Sequence, residues 1–175
     1  MSSKANEGVF PSMQRAAEMR EERLLVPADR RQSATALMIA RGVRRLLRAR
    51  GFSSLTELSL TDGRRADIVA VNSDGEVLIV EIKSSPSDFR ADRKWREYAA
   101  CCDRLYFGIS DGTPAELMPH EAGLIIADSY GAEILREADL QPMAPARRRA
   151  LLLRFAQTAA DRLHRLADPG GAPEL

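Results

Sequence analysis

Asp67, Glu81 and Lys83 stand in apolar surroundings, where ionisable side chains are expensive. Val77-Leu78-Ile79-Val80-Glu81-Ile82-Lys83 is a run of aliphatic, mostly β-branched residues, the pattern of a strand covered on both faces. An unpaired charge in such a strand costs on the order of several kcal/mol, so these charges need partners. Side chains alternate along a strand, so Glu81 and Lys83 project to one side. Asp67 lies in the apolar segment just before. Two acids and a lysine gathered in one place are the parts needed to hold a divalent cation against a phosphodiester.

Whether they gather depends on register. Residues directly opposite in an antiparallel hairpin share a face. Asp67 meets Glu81 if Asn72 pairs with Glu76, which leaves Ser73-Asp74-Gly75 as a three-residue loop with glycine at the left-handed position. A two-residue loop would set Asp67 opposite Val80, on the wrong face. In the first register the carboxylates repel unless a cation sits between them. Mg²⁺ or Mn²⁺ suits an all-oxygen set of Asp67, Glu81 and the backbone carbonyl of Ile82. Glu57, on the preceding strand, is a further candidate ligand or an ordinary surface acid. Lys83 would remain protonated and stabilise negative charge on the phosphoryl group.

The elements that must position these groups follow from periodicity. A helix is predicted over about 33–50, with Ile39, Val43 and Leu47 on one face, Arg41, Arg44, Arg45 and Arg48 on the other, and Gly51 as its stop. Strands are predicted over 55–60, 66–71 and 77–83. Ser84-Ser85-Pro86-Ser87 then breaks the third strand and caps a helix reaching about Cys102. A strand over 104–109, a small β appendage turning at Tyr130-Gly131, and a helix over 146–167 complete the chain. This is an α/β arrangement: a mixed sheet in helix-strand-strand-strand-helix-strand order, flanked by helices. Residues 1–28 read as a flexible arm, 29–167 as one domain and 168–175 as a disordered tail.

Composition narrows the function classes. With 175 residues, 45% hydrophobic and 29% charged, the chain can bury one good core. A net charge of +1 dictates no partner by itself. The adjacent Cys101 and Cys102 make no disulfide framework and read as small buried residues on a helix, in keeping with a reducing cytoplasmic setting. No apolar run reaches the length of a membrane span. There is no Ser-His-Asp set, zinc-type Cys/His cluster or glycine-rich phosphate loop, and His120 and His164 are isolated.

Ala66-Asp67 followed by Glu81-Ile82-Lys83 resembles the PD-(D/E)XK nuclease superfamily, and the element order over about 33–110 is similar to its restriction-endonuclease-like core. Glu81-Ile82-Lys83-Ser84-Ser85, with Asp88-Phe89, Asp92-Arg93-Lys94-Trp95 and Tyr98, resembles more narrowly the MmcB family of bacterial DNA-repair proteins, over about 33–166. The resemblance implies a metal-dependent DNA endonuclease, with Asp67 and Glu81 as metal ligands and Lys83 as the catalytic lysine. Ala66 replaces the proline of the motif, and the first helix lacks the acid that many members place there.

Arg64 and Arg65, beside the proposed site, would contact DNA phosphates, as would Arg41, Arg44 and Arg48 of the first helix and Lys94. An arginine-coated solvated helix is the plainer reading of that stripe. Trp95 and Tyr98 read as packing residues. A non-cutting module of the same fold, binding DNA or a repair partner, would carry the same residues, and a scaffold in which Glu81 merely pairs with Lys83 is a third reading. A homodimer would suit cleavage of two strands, but no segment declares an interface.

Overall fold

The computed structural model describes residues 33–91 and 95–169. The expected N-terminal arm, the end of the expected tail and Lys94 lie outside the described residues. The elements in order are α1 (Ala34–Ala49), β1 (Ser53–Ser59), β2 (Arg65–Val71), β3 (Val77–Lys83), α2 (Pro86–Ala91), α3 (Arg96–Ala99), β4 (Arg104–Ile109), a 3₁₀ turn (Ala115–Leu117), β5 (Gly123–Ala127), β6 (Ala132–Arg136) and α4 (Pro145–Ala167).

The six strands form one sheet in the order β1-β2-β3-β4-β5-β6. The β1–β2, β2–β3 and β5–β6 pairs are antiparallel, and β3–β4 and β4–β5 are parallel. The mixed sheet flanked by helices is therefore as the sequence predicts, with one correction. The hairpin β5–β6 is no appendage: Tyr106 to Ile109 pairs with Gly123 to Ile126, so the hairpin extends the main sheet. Leu124 and Ile125 are buried on opposite faces, which accounts for the unbroken apolar run there.

Two cores follow from strand alternation. Ile39, Val43 and Leu47 of α1 pack on Ile68, Ala70, Leu78, Val80 and Ile82. The opposite face carries Val69, Val77, Ile79, Leu105 and Phe107 with Trp95, Met118 and Leu151. Phe107 is its centre, meeting Trp95 edge-on at 5.5 Å and Phe89 at 5.7 Å. Trp95 is thus a packing residue.

Local signals held where capping chemistry was explicit. Ser33 Oγ accepts the Ala36 N–H at 3.1 Å and opens α1. Ser85 Oγ accepts the Asp88 N–H at 3.2 Å, while Asp88 Oδ2 accepts the Ser84 N–H at 3.1 Å. The predicted helix from 86 to 102 is not continuous among the described residues. It is represented by α2 and the short α3, and Cys101 and Cys102 follow α3 instead of riding on a helix. Both thiols are buried and free. Burial pushes both up, so they stay protonated.

Asp103, 2% exposed, is a buried carboxylate that the sequence did not mark. Its Oδ2 accepts the Val77 N–H (2.8 Å) and its Oδ1 the Met143 N–H (3.0 Å), and Arg148 of α4 grips both oxygens at 2.5 and 2.6 Å. It ties the start of β3, the approach to β4 and the final helix together. Arg148 is therefore an internal clamp. Burial alone would raise the Asp103 pKa, but Arg148 and the two amides outweigh it and hold it below the usual carboxylate value.

Two outcomes are expected. Asp103→Ala strands a partly buried guanidinium and two amides, so it should cost about 3 kcal/mol or more in chemical denaturation. Because the folded pKa is depressed, the stability Asp103 contributes is present above the unfolded value and is lost as pH falls through the folded one; the deficit of the variant should shrink below about pH 4. Gly42 sits in the interior of α1, where an added Cβ would meet the carbonyl oxygens of Asp128 and Gly131 at 2.2 and 2.3 Å. Gly42→Ala gains about 1 kcal/mol of helix propensity but forces backbone apart at roughly 1–3 kcal/mol or more. Thermal melting should show a net loss.

Candidate active site

The site begins at the β2–β3 turn. Asn72 N–H donates to the Glu76 carbonyl (3.2 Å), Gly75 N–H to the Asn72 carbonyl (3.1 Å), and Asn72 Oδ1 accepts the amides of Asp74 and Glu76 at 3.0 and 2.9 Å. Gly75 has φ 78°, the left-handed conformation that costs glycine nothing. This is the three-residue loop. It sets Val71 opposite Val77 and Ile68 opposite Val80, and the next step places Asp67 opposite Glu81.

At that step the ladder changes character. The Asp67 N–H donates to Glu81 Oε1 (3.3 Å), and the Ile82 N–H donates to Asp67 Oδ2 (2.8 Å). Side-chain carboxylates take main-chain donors, and each acid is anchored to the strand carrying the other. On its far side β3 stays paired with β4 through Lys83, with Glu81 beside Phe107. Glu81 and Lys83 are each 4% exposed. The Lys83 Nζ lies 5.9 Å from the Phe107 ring centroid, on the side of the sheet opposite α1.

Glu57 extends the row. Thr56 pairs with Ile68 and Leu58 with Ala66, so Glu57 stands opposite Asp67. Its φ of 52° is left-handed, which costs a non-glycine residue about 1–2 kcal/mol. Ala66 and Ile68 would share a face on a regular strand, yet they enter cores on opposite sides of the sheet, so the backbone turns over at this point. Arg162 of α4 donates to the Thr56 and Glu57 carbonyls at 2.7 and 3.2 Å. The Glu57 carboxylate contacts Arg65 Nε at 2.5 Å. Neither the kink nor Arg162 had a signal in the sequence, since only glycine advertises a left-handed φ.

Electrostatics single out Asp67. Its pKa is raised to about 6, first by burial; the Ile82 amide and the positive Lys83 oppose the rise, and Glu57 and Asp88 add to it. The donors gathered here are carboxylates and main-chain oxygens. Among the described residues no three His, Cys, Asp or Glu side chains form a metal-binding group; Asp67 and Glu81 are a pair of carboxylates. An acid that burial pushes towards neutrality beside a second acid fits a hard divalent cation.

The basic candidates divide. Arg64 is held by Asp62 at 2.9 Å and Glu97 at 2.7 Å and lies over the Tyr98 ring. Arg65 contacts Glu57, and its carbonyl accepts from the Tyr98 hydroxyl at 3.1 Å. Both flank Asp67. Arg41, Arg44 and Arg48 are exposed on the far side of α1, away from Glu81 and Lys83. No described helix is long and apolar enough to cross a membrane.

A family model described as "DNA repair protein MmcB-like" matches residues 25–170. The chain belongs to the MmcB-like family. This MmcB-like chain is also similar to a solved structure described as a protein of unknown function, SPO1766, from Silicibacter pomeroyi, with 45% identity and a TM-score of 0.79, covering 82% of this chain and 99% of that one. No curated protein matches it.

The raised pKa of Asp67 fixes a sign. Its ordinary value is 3.8, so the folded state holds the proton more tightly than the unfolded chain does. Stability is fully present below the unfolded value and is lost as pH rises through the folded one. With divalent ions chelated, Asp67→Asn, which keeps an acceptor for the Ile82 amide, should raise Tm at about pH 8 and leave it nearly unchanged at about pH 4. An equal shift at both values would show that ionisation is not the cause.

Proposed function

We propose that this MmcB-like protein is a Mg²⁺- or Mn²⁺-dependent endonuclease that hydrolyses phosphodiester bonds in DNA repair, of the PD-(D/E)XK type. The observation that carries the reading is the reciprocal bonding of Asp67 and Glu81 across the β2–β3 step, with Lys83 two residues on. A structural ion pair of Glu81 and Lys83 has no need of Asp67 in register. Membership of a DNA-repair family supports nucleic acid as the substrate.

Asp67, Glu81 and the Ile82 carbonyl would hold the ion. When bound, it would polarise the phosphodiester and lower the cost of activating water. The chain's own contribution is positional. The two main-chain hydrogen bonds fix the carboxylates before substrate arrives, so little reorganisation is needed at the moment of reaction. Lys83 is held by packing around Phe107, and its charge acts on Asp67. It would stabilise negative charge on the phosphoryl oxygens as it builds. Arg64 and Arg65, just before Asp67 in the chain, would meet substrate phosphates, exchanging carboxylate partners for phosphate.

Asp67→Ala, Glu81→Ala and Lys83→Ala should each lower Mn²⁺-dependent cleavage by about 100-fold or more. Isothermal titration with Mn²⁺ should show binding lost in the first two and retained in Lys83→Ala. Cleavage retained in all three folded variants would sink the mechanism. DNA binding by the wild type without products under Mg²⁺ or Mn²⁺ would identify a non-cutting module instead.

A further inference from the structure

Helix α1 presents its arginines away from the sheet. Ile39, Val43 and Leu47 are buried beneath it, whereas Arg41, Arg44, Arg45 and Arg48 are exposed. The helix contains no acidic residue. The four arginines form like-charge neighbours at three- and four-residue spacing, an arrangement that weakens a helix unless an anion answers it. Arg44 donates to Ser54 Oγ at 3.4 Å, and Arg45 donates to the Ser129 and Tyr130 carbonyls at 3.0 and 2.9 Å. Those oxygens are neutral and orient the two guanidinium groups, while the Asp128 carboxylate offsets part of the Arg45 charge. Arg41 and Arg48, seven residues apart, lie on one line about 10 Å long.

This surface and the candidate active site lie on opposite sides of the sheet. Glu81 and Lys83 alternate with Val80 and Ile82, which pack under α1, and Lys83 lies over Phe107 in the other core. An arm of DNA reaching Glu81 and Lys83 from that second side leaves the outer face of α1, across the sheet, to another segment.

We propose that the α1 arginines grip the phosphates of a second DNA segment, so that the substrate is a branched DNA with one arm on each side of the sheet. This rests on the endonuclease reading for the occupant of the first side. An anionic lipid surface would also attract arginines, but a membrane-lying helix needs its apolar face for lipid, and α1 has spent that face on the sheet.

The test uses the full chain with divalent ions chelated, so that binding is read apart from cleavage. Probes are a labelled three-way DNA junction and a linear duplex of equal total length, titrated between about 50 and 200 mM salt. Wild type should bind the junction at least about tenfold more tightly. R41Q/R44Q/R48Q, which keeps the loop-binding Arg45, should bring the junction down to the affinity of the duplex and reduce its salt slope by about 2.7, at about 0.9 per phosphate contact. Should the triple variant melt early, Arg41→Gln and Arg48→Gln singly should each remove about 0.9 of that slope.

An unchanged junction preference in the variants, an equal loss on both probes, or no preference in the wild type would overturn the proposal. So would arginine-dependent binding to phosphatidylserine vesicles with no effect on the junction. The two readings fail differently. Junction binding without Mn²⁺-dependent cleavage removes the endonuclease and leaves the second surface; cleavage with an unaltered preference in the variants does the reverse.

Discussion

Hairpin register is the constraint on which the rest of this structure depends. Side chains on a strand alternate with a period of two, so one residue of slip exchanges the two faces entirely. The Asn72 side chain and the left-handed Gly75 fix the count at the turn, five residues from Asp67. Everything downstream inherits that count: Ile68 and Val80 beneath α1, Val69 and Ile79 towards Phe107, and Asp67 against Glu81. The site is what the register delivers where the main-chain ladder ends.

The same arrangement is expensive. Glu81 and Lys83 are buried charges, Asp67 is pushed towards its neutral form, and Glu57 holds a left-handed backbone. A fold that places such groups together must be stabilised elsewhere. Asp103 does part of this by joining β3, the approach to β4 and α4 through charge-assisted bonds. Two apolar cores, one on each face of a six-stranded sheet, supply the rest. Charged groups are held in two ways here: Asp103 is answered by two amides and Arg148 from distant segments, whereas Asp67 and Glu81 each bond the strand that carries the other.

Much of this was legible in the sequence, for identifiable reasons. Val77 to Lys83 and Arg104 to Ile109 announced themselves because strands covered on both faces are apolar throughout. The loop at Ser73-Asp74-Gly75 was compatible with the observed register because it sets glycine where a three-residue turn has positive φ. Ser33 and Ser85 marked helix starts by capping chemistry. What escaped notice depends on contacts distant in sequence. Asp103 looks like any loop acid until Val77, Met143 and Arg148 surround it. Gly42 looks like a weak point in a helix until the Asp128–Gly131 loop is seen against it. The β5–β6 hairpin looked separate because nothing in its own residues says which strand lies beside it. Glu57 gave no sign because its conformation is imposed by neighbours.

Helix α4 has one more consequence. Strand β1 is outermost in the sheet, and an outermost strand ordinarily offers a row of unclaimed backbone groups to any passing chain. Here the guanidinium groups of Arg162 and Arg154 occupy the carbonyls of Thr56, Glu57 and Ser59. The final helix thus blocks backbone pairing along the β1 edge, using side chains where other folds add a further ribbon or a proline.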